Sequence, residues 1–209
     1  MVGRIIETEA CVAEGAAWLA AREPRFAAAL ELAGPLPLRR EAGGFGALMR
    51  AIVGQQVSVA SARAIEARLR AAGFHNAEAV AAASEEALRG CGLSRPKVRY
   101  LRALAAAGLD YAALEQAEEA EVVARLVALP GIGRWTAEIY VMFALGRADA
   151  FAAGDLALQE AARLIFELPE RPGEAALREL AEAWRPWRGV AARLLWAYYR
   201  AVKLREGVT

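Results

Sequence analysis

The chain has 209 residues, 57% hydrophobic and 24% charged, so it can bury a core and is not a disordered polymer. Its 26 basic and 25 acidic side chains leave a net charge of +1, which taken whole announces no polyanion partner. Two cysteines, Cys11 and Cys91, are too few for a four-thiolate zinc site or an iron–sulfur cluster, and the single histidine, His75, excludes a multi-histidine metal centre. There is no apolar run long enough for a membrane span and no leader-like N-terminus, so the expected home is the reducing cytoplasm, with no membrane partner.

Alanine is abundant, β-branched runs are scarce, and apolar residues recur at helical spacing. Helices are predicted over 8–22, 24–33, 44–56, 58–72, 76–82, 84–90, 95–107, 118–128, 134–145, 156–166, 173–184 and 188–203. Breaks fall at Gly34-Pro35-Leu36-Pro37, Gly73, Gly90-Cys91-Gly92, Leu129-Pro130-Gly131, Gly154, and Pro169 with Pro172. Ser84, ahead of Glu85 and Glu86, is a helix start, and Gly73 a helix stop. The expected fold class is all-α, with no β-domain. His75 is expected in a loop, and Cys11 and Cys91 are expected to pack quietly.

The acids are uneven: 22 are Glu, and only Asp110, Asp149 and Asp155 are Asp. Glu suits helix interiors and Asp does not, so an Asp kept here points to a cap or a working group. Asp149 is read as capping or solvating the loop after Gly146. Charge is also uneven along the chain. Residues 89–109 hold Arg89, Arg95, Lys97, Arg99 and Arg102 and no acid, whereas 110–125 are acidic. From 176 to 209, seven basic residues meet three acids. These stretches are either ordinary solvated faces or a basic surface able to follow a phosphate backbone.

The most informative stretch is Val127-Ala128-Leu129-Pro130-Gly131-Ile132-Gly133-Arg134-Trp135-Thr136-Ala137. A helix ends, two glycines turn the chain, and a new helix begins near Arg134. Unshielded backbone N–H groups and a helix N-terminus together make an anion site that needs no base sequence. A plain turn between two helices is the alternative.

The full Leu-Pro-Gly-Ile-Gly-x-x-Thr-Ala pattern resembles the helix–hairpin–helix DNA glycosylases, in particular the AlkA-like DNA-3-methyladenine glycosylase II branch. The resemblance runs from about residue 40 to 203. Ile52-Val53-Gly54-Gln55-Gln56-Val57-Ser58 is similar to the family's early helix and wedge. Gly92-Leu93-Ser94 with Lys97 and Tyr100-Leu101 is similar to its central helix. Trp184-Arg185-Pro186-Trp187-Arg188 and Leu195-Trp196 are similar to its C-terminal segment. Asp155 lies 22 residues past Gly133, where the family keeps its catalytic aspartate.

The resemblance implies a helix–hairpin–helix glycosylase fold of two helical lobes with a central cleft. One lobe would come from about 1–40 and 150–209, the other from 41–149 with the hairpin at 129–136. It implies a base-excision-repair enzyme acting on double-stranded DNA containing damaged bases, as a monomer. Asp155 is the catalytic residue, a carboxylate set against the positive charge that builds on deoxyribose. Trp135 and Trp196 are aromatic walls for an everted cationic base. Trp135 also stands where the lyase branch has its Schiff-base lysine, so water is the expected nucleophile and no lyase activity is expected. Gln56 is the wedge. Gly131, Gly133 and Thr136 donate main-chain N–H groups to a phosphate. The carbonyls of Val127, Leu129 and Ile132 would hold a structural Na+ or K+; no other cofactor and no iron–sulfur cluster is implied. Gly154 and Ile139 depart from the family's pattern, which has an acid and an aromatic there.

Read on their own, these residues leave blander roles open. Asp155 could be only a helix cap, Trp135 and Trp196 core residues, and Gln55 and Gln56 amides bonded to loop backbone. A glycosylase for another damaged or mismatched base, and a non-catalytic DNA-binding module, also remain open at this point. Trp18, Trp184 and Trp187 are read as core or rim.

Overall fold

The computed structural model describes residues 2–205. Among these, helices run in the order α1 (Glu9–Arg22), α2 (Pro24–Ala33), α3 (Phe45–Gly54), α4 (Val59–Ala71), α5 (Ala77–Ala82), α6 (Glu85–Gly90), α7 (Arg95–Ala106), α8 (Tyr111–Gln116), α9 (Glu119–Val127), α10 (Arg134–Phe143), α11 (Leu156–Ile165), α12 (Glu174–Leu180) and α13 (Arg188–Arg205), with a 3-10 turn at Ala181–Trp184. The sole extended pairing among the described residues is an isolated bridge between Ile5 and Arg147, so the all-α expectation is met. No described helix is long and apolar enough to cross a membrane.

Local chemistry explains the boundaries. Thr8, Ser58, Asn76, Ser84 and Asp110 each accept a backbone N–H in the first turn of the helix that follows. Gly73, at φ +83°, closes α4 as expected. Helix α8 was not anticipated; it is only six residues long and rests on its Asp110 cap, with Oδ1 2.9 Å from the Ala113 nitrogen. The predicted helix 44–56 stops at Gly54, because Gln55 turns extended at ψ 130° and Gln56 follows at φ +55°. The predicted helix 173–184 tightens into the 3-10 turn after Leu180.

The described residues form two units. In the first, Glu41–Tyr140, α7 packs on α3, α5 and α6, and α3 on α4. Its buried face carries Lys97, Val98, Leu101 and Leu104. The second holds Gly3–Arg40 and 141–205; α13 packs there on α1, α2 and α11. Its core contains Phe26, Phe151, Phe166 and Trp184, whose ring centroids lie 5.2–5.8 Å apart in contacting pairs. The division falls after Tyr140 rather than near 149. Residues 141–150 belong with the second unit because their backbone is stitched to it. Ile6 N–H donates to the Gly146 carbonyl at 2.7 Å, Ala148 N–H to Arg4 at 2.9 Å, and Gly189 N–H to Ala148 at 2.7 Å.

Asp149 does not solvate a loop. Arg188 grips both its oxygens, at 2.9 and 3.1 Å, and Arg185 adds a third bond at 2.9 Å. Both arginines also bind Glu182. Of the thiols, Cys91 is buried in the first unit. Cys11 is half-buried in the first turn of α1, where the Thr8 hydroxyl and nearby backbone pull its thiol down to about 7. His75 lies in an exposed loop.

At Gly189 an added Cβ would meet the carbonyl oxygens of Ala148, Arg147 and Ala150 at 2.9, 3.1 and 3.2 Å, and backbone yields poorly. Gly189→Ala is therefore expected to destabilise the fold by about 2 kcal/mol in urea unfolding. Gly90→Ala, with nothing within 4 Å of its would-be Cβ, is expected to cost nothing.

Candidate active site

The hairpin belongs to the first unit. After α9, Leu129 N–H donates to Leu126 at 3.0 Å and Ile132 N–H to Leu129 at 3.1 Å, which turns the chain in two steps. Gly131 has φ +85°, and a Cβ there would lie 2.3 Å from the Tyr100 ring, so glycine is required twice over. Gly133 is different: a Cβ would meet nothing within 4 Å, and its backbone is open. Its carbonyl accepts Ala137 N–H at 3.0 Å and starts α10. The first N–H groups of α10, through Thr136, have no acceptor within the helix and stand at its positive end. Thr136 is buried by side chain, so any role toward an anion is through its main chain. Ile132 is buried and anchors the loop, whereas Trp135 is 47% exposed.

The turn after α3 lies in the same unit. Gln55 donates its side-chain amide to the Gly131 carbonyl at 2.8 Å. Gln56 is exposed, next to Val57 and Val59, which are exposed as well. Both glutamines thus sit in a turn and not on the helix where they were expected. Lys97 is buried and donates to the Val53 carbonyl at 2.7 Å, and burial pulls its ammonium below the usual lysine range. The basic stretch 89–109 is therefore not one solvated face. Lys97 points inward and Arg102 binds the Ala83 carbonyl at 2.6 Å. Arg89, Arg95 and Arg99 stay exposed.

In the second unit, Asp155 is the N-cap of α11. Its Oδ1 accepts from Ala157 N–H at 2.9 Å, Leu158 N–H at 3.1 Å and the Trp196 indole N–H at 3.2 Å. The cap role is thus realised, and the same oxygen takes the Trp196 indole N–H, a pairing the sequence did not indicate. Trp196 projects from α13, which packs on α11, and is half-buried. Its ring lies 5.8 Å from Phe143, and the Arg39 guanidinium stands 5.8 Å from its centroid. Arg39 holds φ +49°, a left-handed backbone uncommon for arginine. Arg193, one turn before Trp196, is buried and donates to Leu38 at 3.0 and 3.2 Å and to Gly189 at 2.7 Å. It thereby fastens the strand bearing Arg39 to α13. Burial, then Arg39 and Arg40 beside it, bring its guanidinium down to about 10.

Of the residues singled out in the sequence, the structure brings Asp155 and Trp196 together. Sequence reasoning gave no role to Tyr100, Lys97, Arg39, Phe143 or Arg193. The one signal available for Gln55 was an amide at the end of an apolar helix. Trp184 and Trp187 are buried, in keeping with a core role, and Trp18 carries Arg22 on its face at 3.9 Å. Gly154, where the family has an acid, faces the Glu174 carboxylate of α12, 3.2 Å from an added Cβ.

Comparison with known proteins agrees with this geometry. Residues 49–186 match the HhH-GPD superfamily base excision DNA repair protein family. The DNA-3-methyladenine glycosylase 1 of Schizosaccharomyces pombe is 32% identical over 158 residues, spanning 71% of this chain and 69% of that protein. The crystal structure of a DNA-3-methyladenine glycosidase from Bacillus halodurans superposes with a TM-score of 0.78 at 35% identity, covering 90% of this chain and 89% of that one. The S. pombe 3-methyladenine DNA glycosylase in complex with abasic DNA superposes with a TM-score of 0.75 at 27% identity, covering 88% and 95%. By hairpin, fold and matched length, the chain belongs to the HhH-GPD superfamily of base excision DNA repair proteins.

Proposed function

We propose that this protein is a DNA-3-methyladenine glycosylase: it binds duplex DNA, everts an alkylated purine and hydrolyses its N-glycosidic bond with water. The observation that carries the reading is the Asp155 carboxylate, fixed by three N–H donors on one oxygen. As the base leaves with the bonding electrons, positive charge builds on the deoxyribose, and a fixed carboxylate stabilises it. Water adds to C1′ and gives up a proton, which Asp155 or solvent accepts. The products are the free base and an abasic site. An alkylated purine is already cationic and leaves neutral, so no general acid is demanded.

The hairpin N–H groups of Gly131, Gly133 and Thr136 take a phosphate, and Gln56 fills the gap left by the base. The Val127, Leu129 and Ile132 carbonyls fit a Na+ or K+. The three residues line one open depression, and the Leu129 oxygen keeps a second lone pair beside its bond to Ile132. Such an ion would offset phosphate charge. The two tryptophans divide their work. Trp196 spends its N–H on Asp155, with Phe143 and Arg39 by its ring, whereas exposed Trp135 offers its face to a cationic base, an interaction worth about 2 kcal/mol when desolvated. Trp135 carries no amine, so attack comes from water.

Release of 3-methyladenine and 7-methylguanine from methylated duplex is the direct assay. Asp155→Asn keeps a cap acceptor but loses the charge, and is expected to cut single-turnover excision about 10^3-fold with duplex affinity retained. Silence of the wild type with intact duplex binding would sink the enzymatic reading. Trp196→Phe keeps an aromatic ring and loses the bond to Asp155; excision is expected to slow about tenfold. Borohydride treatment during turnover is expected to trap no protein–DNA adduct, and a trapped adduct would refute the water mechanism.

A further inference from the structure

Gln56 occupies a left-handed conformation at φ +55° although it is not glycine. Such a backbone is strained for a residue other than glycine and persists where its surroundings impose it. The surroundings are specific. Upstream, Lys97 Nζ holds the Val53 carbonyl at 2.7 Å, at the end of α3. Downstream, Ser58 caps α4 with its hydroxyl 3.1 Å from the Ser61 nitrogen. Between them, Gln55 reaches the hairpin, 76 residues away, and donates to Gly131 at 2.8 Å. Tyr100, one turn after Lys97 on α7, packs its ring where a Cβ of Gly131 would be. Helix α7 is therefore a common platform. Lys97 fixes the end of α3, Tyr100 fixes the hairpin, and the Gln55 amide closes the ring.

From this ring we infer that Gln55 is a positioning residue that locks the Gln56 wedge turn to the phosphate-binding hairpin. The inference rests on the glycosylase reading above. Gripping the backbone at the hairpin then fixes where Gln56 meets the base stack, so strand binding drives wedge insertion. Without the Gln55 amide the hairpin still binds DNA and Asp155 still catalyses, but the wedge loses its register. The loss is therefore confined to lesions that must be pulled from a paired stack.

Two arms test this with Gln55→Ala and with the near-isosteric Gln55→Glu, which removes the donor. In the first, single-turnover excision of 7-methylguanine is measured opposite cytosine and opposite an abasic-site analogue. The variants are expected to lose about tenfold or more on the paired lesion and less than about threefold on the unpaired one, because eversion of an unpaired base needs little help. Equal losses on both substrates, or none on the paired one, would overturn the inference. The second arm needs no excision. A duplex carrying 2-aminopurine beside a tetrahydrofuran abasic analogue should brighten when wild type binds and parts the stack. Gln55→Ala should bind the same duplex and lose most of that rise, while an undiminished rise would overturn the inference. If the wild type excises nothing, the glycosylase reading fails and this arm still decides the role of Gln55. Should Gln55→Ala melt early, Gln55→Glu at wild-type melting temperature carries both arms.

Discussion

A carboxylate that is to steady a transient cation must be held still without having its charge cancelled. The two aspartates of the second unit are held in different ways. Asp149 is gripped by Arg185 and Arg188 through both oxygens, so two full positive charges face it. On Asp155, two backbone N–H groups and one indole N–H converge on Oδ1. Those donors carry partial charges and fix the group by direction. That single restraint explains much of the second unit: α11 must begin at Asp155, α13 must lie beside α11, and Trp196 must present its edge rather than only its face.

The restraint itself depends on layers behind it. Trp196 is steadied by Phe143, and the segment ending in Arg39 and Arg40 is bound to α13 by Arg193. Arg40 also donates to the Phe143 carbonyl at 3.0 Å. Gly189, a position where any side chain would strike three carbonyls, lets α13 approach the 147–150 backbone closely. The Asp155–Trp196 pair is thus supported by a shell of ordinary packing and main-chain bonds, spread across residues 38–40, 143–150 and 188–196.

What the sequence made legible was local. Helix starts could be read because Ser, Thr, Asn and Asp bind backbone N–H groups within three residues, and the hairpin because its glycines and proline act on adjacent bonds. The scarcity of Asp was informative for the same reason: Asp110 caps α8 and Asp155 caps α11. What stayed hidden acts at a distance. Nothing near Gln55 says that its partner is Gly131, and nothing near Asp149 says that it faces arginines 36 and 39 residues on. The early end of α3 was missed because Gln55 turns extended and Gln56 then adopts a left-handed backbone, which intrinsic preference disfavours. The unit boundary was misplaced because backbone pairing between 4–6 and 146–148 has no side-chain signature.

The charge distribution follows from the same economy of full charges. Several basic residues that could have coated a surface are turned inward or paired: Lys97 on Val53, Arg102 on Ala83, Arg193 on Leu38, and Arg185 and Arg188 on Asp149. A net charge of +1 then suffices for a DNA-binding protein only if phosphate recognition uses main-chain dipoles as well as cations. The Gly131–Gly133 turn and the first turn of α10 supply such dipoles. Dipoles of that kind favour a phosphate without preference for base sequence.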